Sequence, residues 1–184
     1  MAVNHALDQG IPLQGGDISF RVSPNANVYI GASNTVAGVV PFRAVIADAA
    51  ATYTHYGENM EPAIMHPPYS FAHANVLGIM YESQNTLNTF PTDDGLVYKA
   101  STRQATVRTH GIALVQCDNS VAGAAITPGD LVAVSQVQYY EGCACKAALS
   151  SGLPSAGQHI LGIAMQLADT NGQYVKVLLR VREV

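Results

Sequence analysis

The chain has 184 residues, 48% of them hydrophobic and only 12% charged, a length suited to one ordinary domain or to one domain with an arm. With 9 basic residues against 13 acidic ones the formal net charge is -4, which gives no electrostatic footprint for DNA or RNA, so nucleic acid is not an expected partner. The uncharged stretch from Val22 to Phe42 is interrupted by Pro24, Asn25, Asn27, Ser33, Asn34 and Pro41, so no membrane span is expected.

The opening residues, Met1-Ala2-Val3-Asn4-His5, contain neither a basic nor an apolar leader segment, and synthesis in a cytoplasm is the expectation. Residues 1–27 carry Gly10, Pro12, Gly15, Gly16 and Pro24 among polar residues, the composition of an extended arm that gains order from what it lies against. Short strands are expected at 28–30 and 39–46, since Gly and Pro punctuate the chain and no window sustains helical periodicity. Residues 52–75 hold Tyr53, Tyr56, Met60, Met65, Tyr69 and Phe71, with His55, His66 and His73, and only Glu58 and Glu61 as formal charges. This is expected to be a long loop, and its aromatic and methionine content is that of protein interfaces.

Strands follow at 76–81, 96–100, 105–116 and 139–147, with Asp93-Asp94-Gly95 read as a hairpin turn. Thr127-Pro128-Gly129-Asp130 is a tight turn, because Pro presets its second position and Gly supplies positive φ at its third. Leu131 to Ser135 then enters a strand. From Ile160 to Ala168 the alternation places Leu161, Ile163, Met165 and Leu167 on one side, while Gly162 and Ala164 leave room for a close backbone. Asp169-Thr170-Asn171-Gly172 turns the chain into the last strand, where Val175, Val177, Leu179 and Val181 share a core face. Lys176, Arg180 and Arg182 share the other, a third of all basic residues along about 20 Å at 3.3 Å per residue. Val76-Leu77-Gly78-Ile79 echoes Ile160-Leu161-Gly162-Ile163, a weak hint of a duplicated unit.

No pattern here supports catalysis. The three loop histidines lack the spacing of a metal site. Cys143-Ala144-Cys145 would place two thiols on one side of a strand, and these with Cys117 read as small buried hydrophobes. Ser150-Ser151-Gly152 lacks the flanking glycines of a nucleophile elbow and reads as a surface turn. No phosphate-cradling loop or calcium loop is present. The expectation is a non-enzyme without cofactor or metal, of the all-β class.

Four segments in order, Gly111-Ile112-Ala113, Ile126-Thr127-Pro128-Gly129-Asp130-Leu131-Val132, Ile160-Leu161-Gly162-Ile163-Ala164 and Gly172-Gln173-Tyr174-Val175-Lys176-Val177-Leu178-Leu179, resemble the small capsid decoration, or cement, proteins of tailed bacteriophages. The resemblance spans residues 105–184 and implies a small β-barrel or β-tulip domain there, preceded by a β-rich region at 28–104. It further implies a structural protein made in the host cytoplasm and added to the outer capsid surface. There it would bridge major capsid subunits against genome pressure, as a homotrimer or a dimer. Tyr53, Tyr56, Met60, Met65, Tyr69, Phe71, Lys176, Arg180 and Arg182 are then the candidate contacts with capsid or with a neighbouring protomer. The rival expectation is a receptor- or glycan-binding β module of a tail fibre.

Overall fold

The computed structural model describes residues 17–23, 25–30, 34–55, 59–68, 76–81, 89–92, 95–98, 104–120, 125–155 and 157–183. Among them all regular structure is strand, as the absence of helical periodicity requires. The strands are β1 (Asp17–Arg21), β2 (Asn27–Ile30), β3 (Asn34–Ala37), β4 (Ala44–His55), β5 (Asn59–Met65), β6 (Val76–Met80), β7 (Thr89–Thr92), β8 (Gly95–Tyr98) and β9 (Gln104–Arg108). There follow β10 (Gly111–Gln116), β11 (Leu131–Val134), β12 (Ala144–Lys146), β13 (Leu149–Ser150), β14 (Leu153–Pro154), β15 (His159–Ala164) and β16 (Tyr174–Glu183). Two five-stranded antiparallel sheets form, ordered β1-β9-β6-β4-β5 and β10-β16-β15-β11-β12, with β2-β3, β7-β8 and β13-β14 as separate hairpins.

Both sheets follow one plan. Lettered a to e in chain order, the strands of each lie side by side as a-e-d-b-c. The agreement extends to single residues. Ala44 and Val45 oppose Ile79 and Gly78 in the first unit, Leu131 and Val132 oppose Ile163 and Gly162 in the second, and each ladder shifts register at the following residue. Phe42 N–H donates to Met80 O at 2.8 Å and Tyr81 N–H to Thr106 O at 2.7 Å; their counterparts are Gly129 N–H to Ala164 O at 2.9 Å and Met165 N–H to Lys176 O at 2.8 Å. The echo at 76–79 and 160–163 thus marks the same strand in each of the two units. In both copies the glycine is required by space, because a Cβ on Gly78 would land on the Arg108 carbonyl and one on Gly162 on the Leu178 carbonyl.

Each sheet curls until its outer strands touch at a single parallel bridge, Val22 with Ile64 and Cys117 with Ala144. Ser23 N–H donates to Ile64 O at 2.8 Å and Asp118 N–H to Ala144 O at 2.7 Å. Neither sheet is a closed barrel, since in each the outer strands meet at that one bridge; in the second, three-residue β12 is too short to pair along β10. The inner faces are filled from equivalent positions. Val22, Val39, Val45, Ile64, Met80, Ala105 and Val107 fill the first unit, and Cys117, Ile126, Val132, Ala144, Ala164, Val175 and Val177 the second. Large and small residues differ between copies: Met80 and Ile64 of the first stand where the second has Ala164 and Ala144, while Val39 and Ala105 give way to the larger Ile126 and Val175, a partial compensation of volume.

The units are joined because the outer face of the first, Ala44, Ile46, Val76 and Ile79, belongs to the apolar cluster of the second. At this junction Ala44 N–H donates to Gly142 O and Gln116 N–H to Phe42 O, each at 2.7 Å. Arg43 Nε donates to Gln116 Oε1 at 2.9 Å. The Phe42 ring meets Tyr81 and Tyr174 edge-on, with centroids 5.8 and 5.2 Å away.

Six expectations change. Residues 17–23 are not part of an arm: Asp17–Arg21 forms β1, paired along β9, and Val22 is fully buried. Of the strand expected at 39–46 only the part from Ala44 belongs to β4, because Phe42 turns the chain at a φ of 64°. The run 105–116 breaks at Thr109-His110, where Gly111 takes a φ of 86°, so β9 completes the first sheet and the second begins at Gly111. The stretch 52–75 is not one loop: β4 and β5 pair through Tyr53–Glu61 and Thr54–Met60, since β-branched and aromatic residues there suit a ladder. Only Ala144–Lys146 of the expected strand at 139–147 is extended, because Tyr139 and Gly142 turn the chain at φ 78° and 76°. Lastly, the register shift between Ile160 and Gly162 moves the side chains that follow by one position. Leu161 and Ala164 therefore point inward, while Met165 and Leu167 are exposed. The turns at Thr127–Asp130 and at Ser151-Gly152, the latter with φ of 53° and 80°, form as expected.

Candidate interaction surface

β16 supplies the centre of the outer face of the second unit. Its alternation holds: Val175, Val177 and Leu179 are buried, and Tyr174, Lys176 and Arg180 exposed. Pairing with β10 on one side and β15 on the other sets the neighbours of each exposed residue. Ile112, Leu178 and Ile163 form one row across three strands. Leu114 lies beside Lys176 in the next row, with Met165 bonded to the Lys176 carbonyl on the far side. Gln116 faces Tyr174 at the end. Ile112 and Tyr174 are each 47% exposed, so this is an apolar sheet face carrying two cations, at Lys176 and Arg180. A solvated sheet face would alternate toward polar residues; this one does not.

The face ends at the junction of the units. Arg108 is held by Asp17 through Nε at 2.8 Å and Nη2 at 2.9 Å, which pushes its guanidinium further above its ordinary pKa. Its carbon lies 4.4 Å above the Tyr81 ring, and its Nη1 donates to Ile112 O at 2.9 Å. One side chain so fixes the start of β10 against the first unit. On the far flank Lys146 pairs with Asp130 at 3.0 Å. Partial burial raises the Asp130 pKa, but the Thr127 amide, Lys146 and the Thr127 hydroxyl outweigh it and hold the carboxyl below its ordinary value.

The other candidate contacts are distributed differently. Tyr53 lies in β4 and Met60 in β5; Tyr56, Tyr69 and Phe71 lie outside the described residues, as does the arm up to residue 16. Met65 is half buried and packs against the clusters of both units, so it joins them rather than standing on a loop. Arg182 opposes Ile160 across the ladder. Sequence reasoning missed Ile112 and Leu114, whose alternation with buried Ala113 and Val115 was available as a signal. It also missed the exposed pair Leu149 and Leu153 on the β13–β14 hairpin.

The thiols are inert by placement, because burial pushes Cys117 and Cys145 up to about 12 and Cys143 to about 11, far above a reactive thiolate. Among the described residues no three His, Cys, Asp or Glu side chains gather to hold a metal. No family model and no curated protein matches this chain.

Proposed function

We propose that this protein is a structural component of a phage virion that binds the outer surface of the head, bridges neighbouring major capsid subunits and stabilises the shell against genome pressure. The observation that carries it is the apolar face of β10, β16 and β15, with Ile112, Leu178 and Ile163 in one row and Lys176 and Arg180 beside them. Apolar rows of this kind supply contact area, and the two cations orient the approach to an acidic protein surface. The resemblance carried by 105–184 supports the capsid as that surface. A homotrimer would present the face three times, and linked contacts raise avidity by about 10² to 10⁴ over a single one.

The test is the copy number of this chain relative to the major capsid protein in purified virions, by quantitative mass spectrometry. Near-equal numbers are expected. A handful of copies per particle would overturn the proposal in favour of a tail-associated binding module.

A further inference from the structure

We propose that copies of this chain associate head to tail, through a contact that repeats between chains the junction joining the two units within one. The duplication makes this specific, since each unit carries both halves of the junction and the chain uses only one of each. Within the chain, the turn Pro41-Phe42-Arg43-Ala44 of the first unit is set against Gln116, Gly142 and Tyr174 of the second.

The equivalent turn of the second unit, Pro128-Gly129-Asp130-Leu131, meets no such unit among the described residues. Pro128 and Gly129 are exposed, and Leu131 and Ile163 are half buried where their counterparts Ala44 and Ile79 are fully buried. Met165, the counterpart of the junction residue Tyr81, is 48% exposed. Ala133 and Ile160 are already covered together with Ala147, so the contact centres on the turn. On the receiving side the same asymmetry appears. Ala113 of the second unit is 1% exposed, and its counterpart in the first, Ile18, is 48% exposed.

The polar residues change in a matching sense. Inside the chain Arg43 donates to Gln116. Their counterparts are Asp130 and Arg21, so a repeated junction brings a carboxylate to a guanidinium, the sign of pairing that selects a partner and fixes register. The occupant is thus a second copy of this chain, presenting its first unit to the second unit of its neighbour. Such a contact is heterologous, and it closes into a ring or continues as a filament according to the rotation between units. The contact shares Ile163 and Met165 with the face proposed for the capsid, and its test reads self-association alone, without capsids.

Sedimentation of the full chain and two surface variants tests it. Wild type is expected as a reversible oligomer, and Ile18→Asp and Met165→Asp, each lacking one half of the contact, as monomers with unchanged circular dichroism. Mixed in equal amounts, the two variants should form a one-to-one heterodimer, because one intact half survives on each. A second measurement uses the charges: Arg21→Asp and Asp130→Arg should each weaken association at least about tenfold, and the chain carrying both exchanges should recover it. A monomeric wild type, single variants that remain assembled, or a mixture that stays monomeric would each overturn the inference.

Discussion

Phe42 holds a φ of 64° at the position that Gly129 fills at 94° in the second unit. The second copy has the residue the turn prefers, and the first carries an aromatic side chain in a conformation that costs about 1 to 2 kcal/mol for an L residue. The ring offsets that cost by packing edge-on against Tyr81 and Tyr174, pairs worth about 0.5 to 1.5 kcal/mol each beyond their burial.

Phe42→Gly should therefore destabilise by only about 1 to 2 kcal/mol, since strain is relieved as the ring is lost. Phe42→Ala loses the ring and keeps the strain, so it should be less stable than Phe42→Gly by about 1 kcal/mol. Urea melts of the three proteins check the order. An alanine variant as stable as the glycine variant would show that the turn is not strained.

Little of this duplication was legible in the sequence beyond Leu-Gly-Ile at 77–79 and 161–163. Elsewhere the copies share backbone hydrogen bonds and inward parity, while the side chains differ: Phe42 for Gly129, Val22 for Cys117, Arg108 for Leu178. A backbone bond needs no particular side chain, and a core position needs only an apolar one of compensating size. Strand parity was readable in β16, where the period of two runs unbroken through Tyr174 to Arg180. It failed past Ile160, because a register shift is set by the neighbouring strand and leaves no local pattern. The cations of the outer face were visible, and the apolar rows beside them required knowing that β10 pairs with β16.

A buried Ser–Asp pair occurs in each unit with its members exchanged. Ser23 Oγ donates to Asp48 Oδ2 at 2.5 Å, and Ser135, the counterpart of Asp48, donates to Asp118, the counterpart of Ser23. All four residues are buried. Asp118→Ser or Ser135→Asp alone leaves two like groups facing each other and should cost about 1 to 3 kcal/mol. The double exchange gives the second unit the arrangement of the first and should recover most of the loss, a coupling that a thermodynamic cycle measures. Additive losses would show the two sites to be unrelated.

Glycine substitutions should separate by mechanism. Gly162→Ala drives a Cβ into the Leu178 carbonyl, which only movement of β16 can relieve. A loss of about 3 kcal/mol or more is expected, with the second unit opening first. Gly152→Ala meets nothing within 4 Å and loses only the ease of a φ of 80°, about 1 kcal/mol. Equal effects in chemical melts would place the constraint in φ rather than in the approach of two strands.

Lys176→Glu with Arg180→Glu should slow binding to capsids more than it speeds release, because exposed cations act through steering. The association rate is expected to fall about tenfold at low salt and to lose its salt dependence, with the melting temperature unchanged. A rate that keeps its salt dependence would move the contact elsewhere.

His66 gives the protein a pH limit. The ring is buried, accepts from Val40 N–H at its Nε2 at 2.8 Å and donates through Nδ1 to Ala44 O at 2.8 Å, a pattern only the neutral ring satisfies. Burial, with Arg43 nearby adding to it, lowers its pKa to about 3, although the Ala44 bond acts in the opposite direction. An unfolded chain takes up this proton below about pH 6.5, and the folded chain resists it until about pH 3, so across that window the unfolded state binds more protons. Stability from this site is complete above about 6.5 and falls with pH, by up to about tenfold in the unfolding constant per unit. His66→Gln, which keeps one donor and one acceptor, should lower stability at neutral pH and flatten the profile between pH 6 and 4. Because Ala44 also bonds to Gly142 across the junction, protonation should loosen the units from each other before either unfolds. Hydrogen exchange at pH 4 would then show lost protection at Ala44 and Gln116 ahead of Val107 and Val177; uniform loss would mean that His66 guards the whole fold and not the junction.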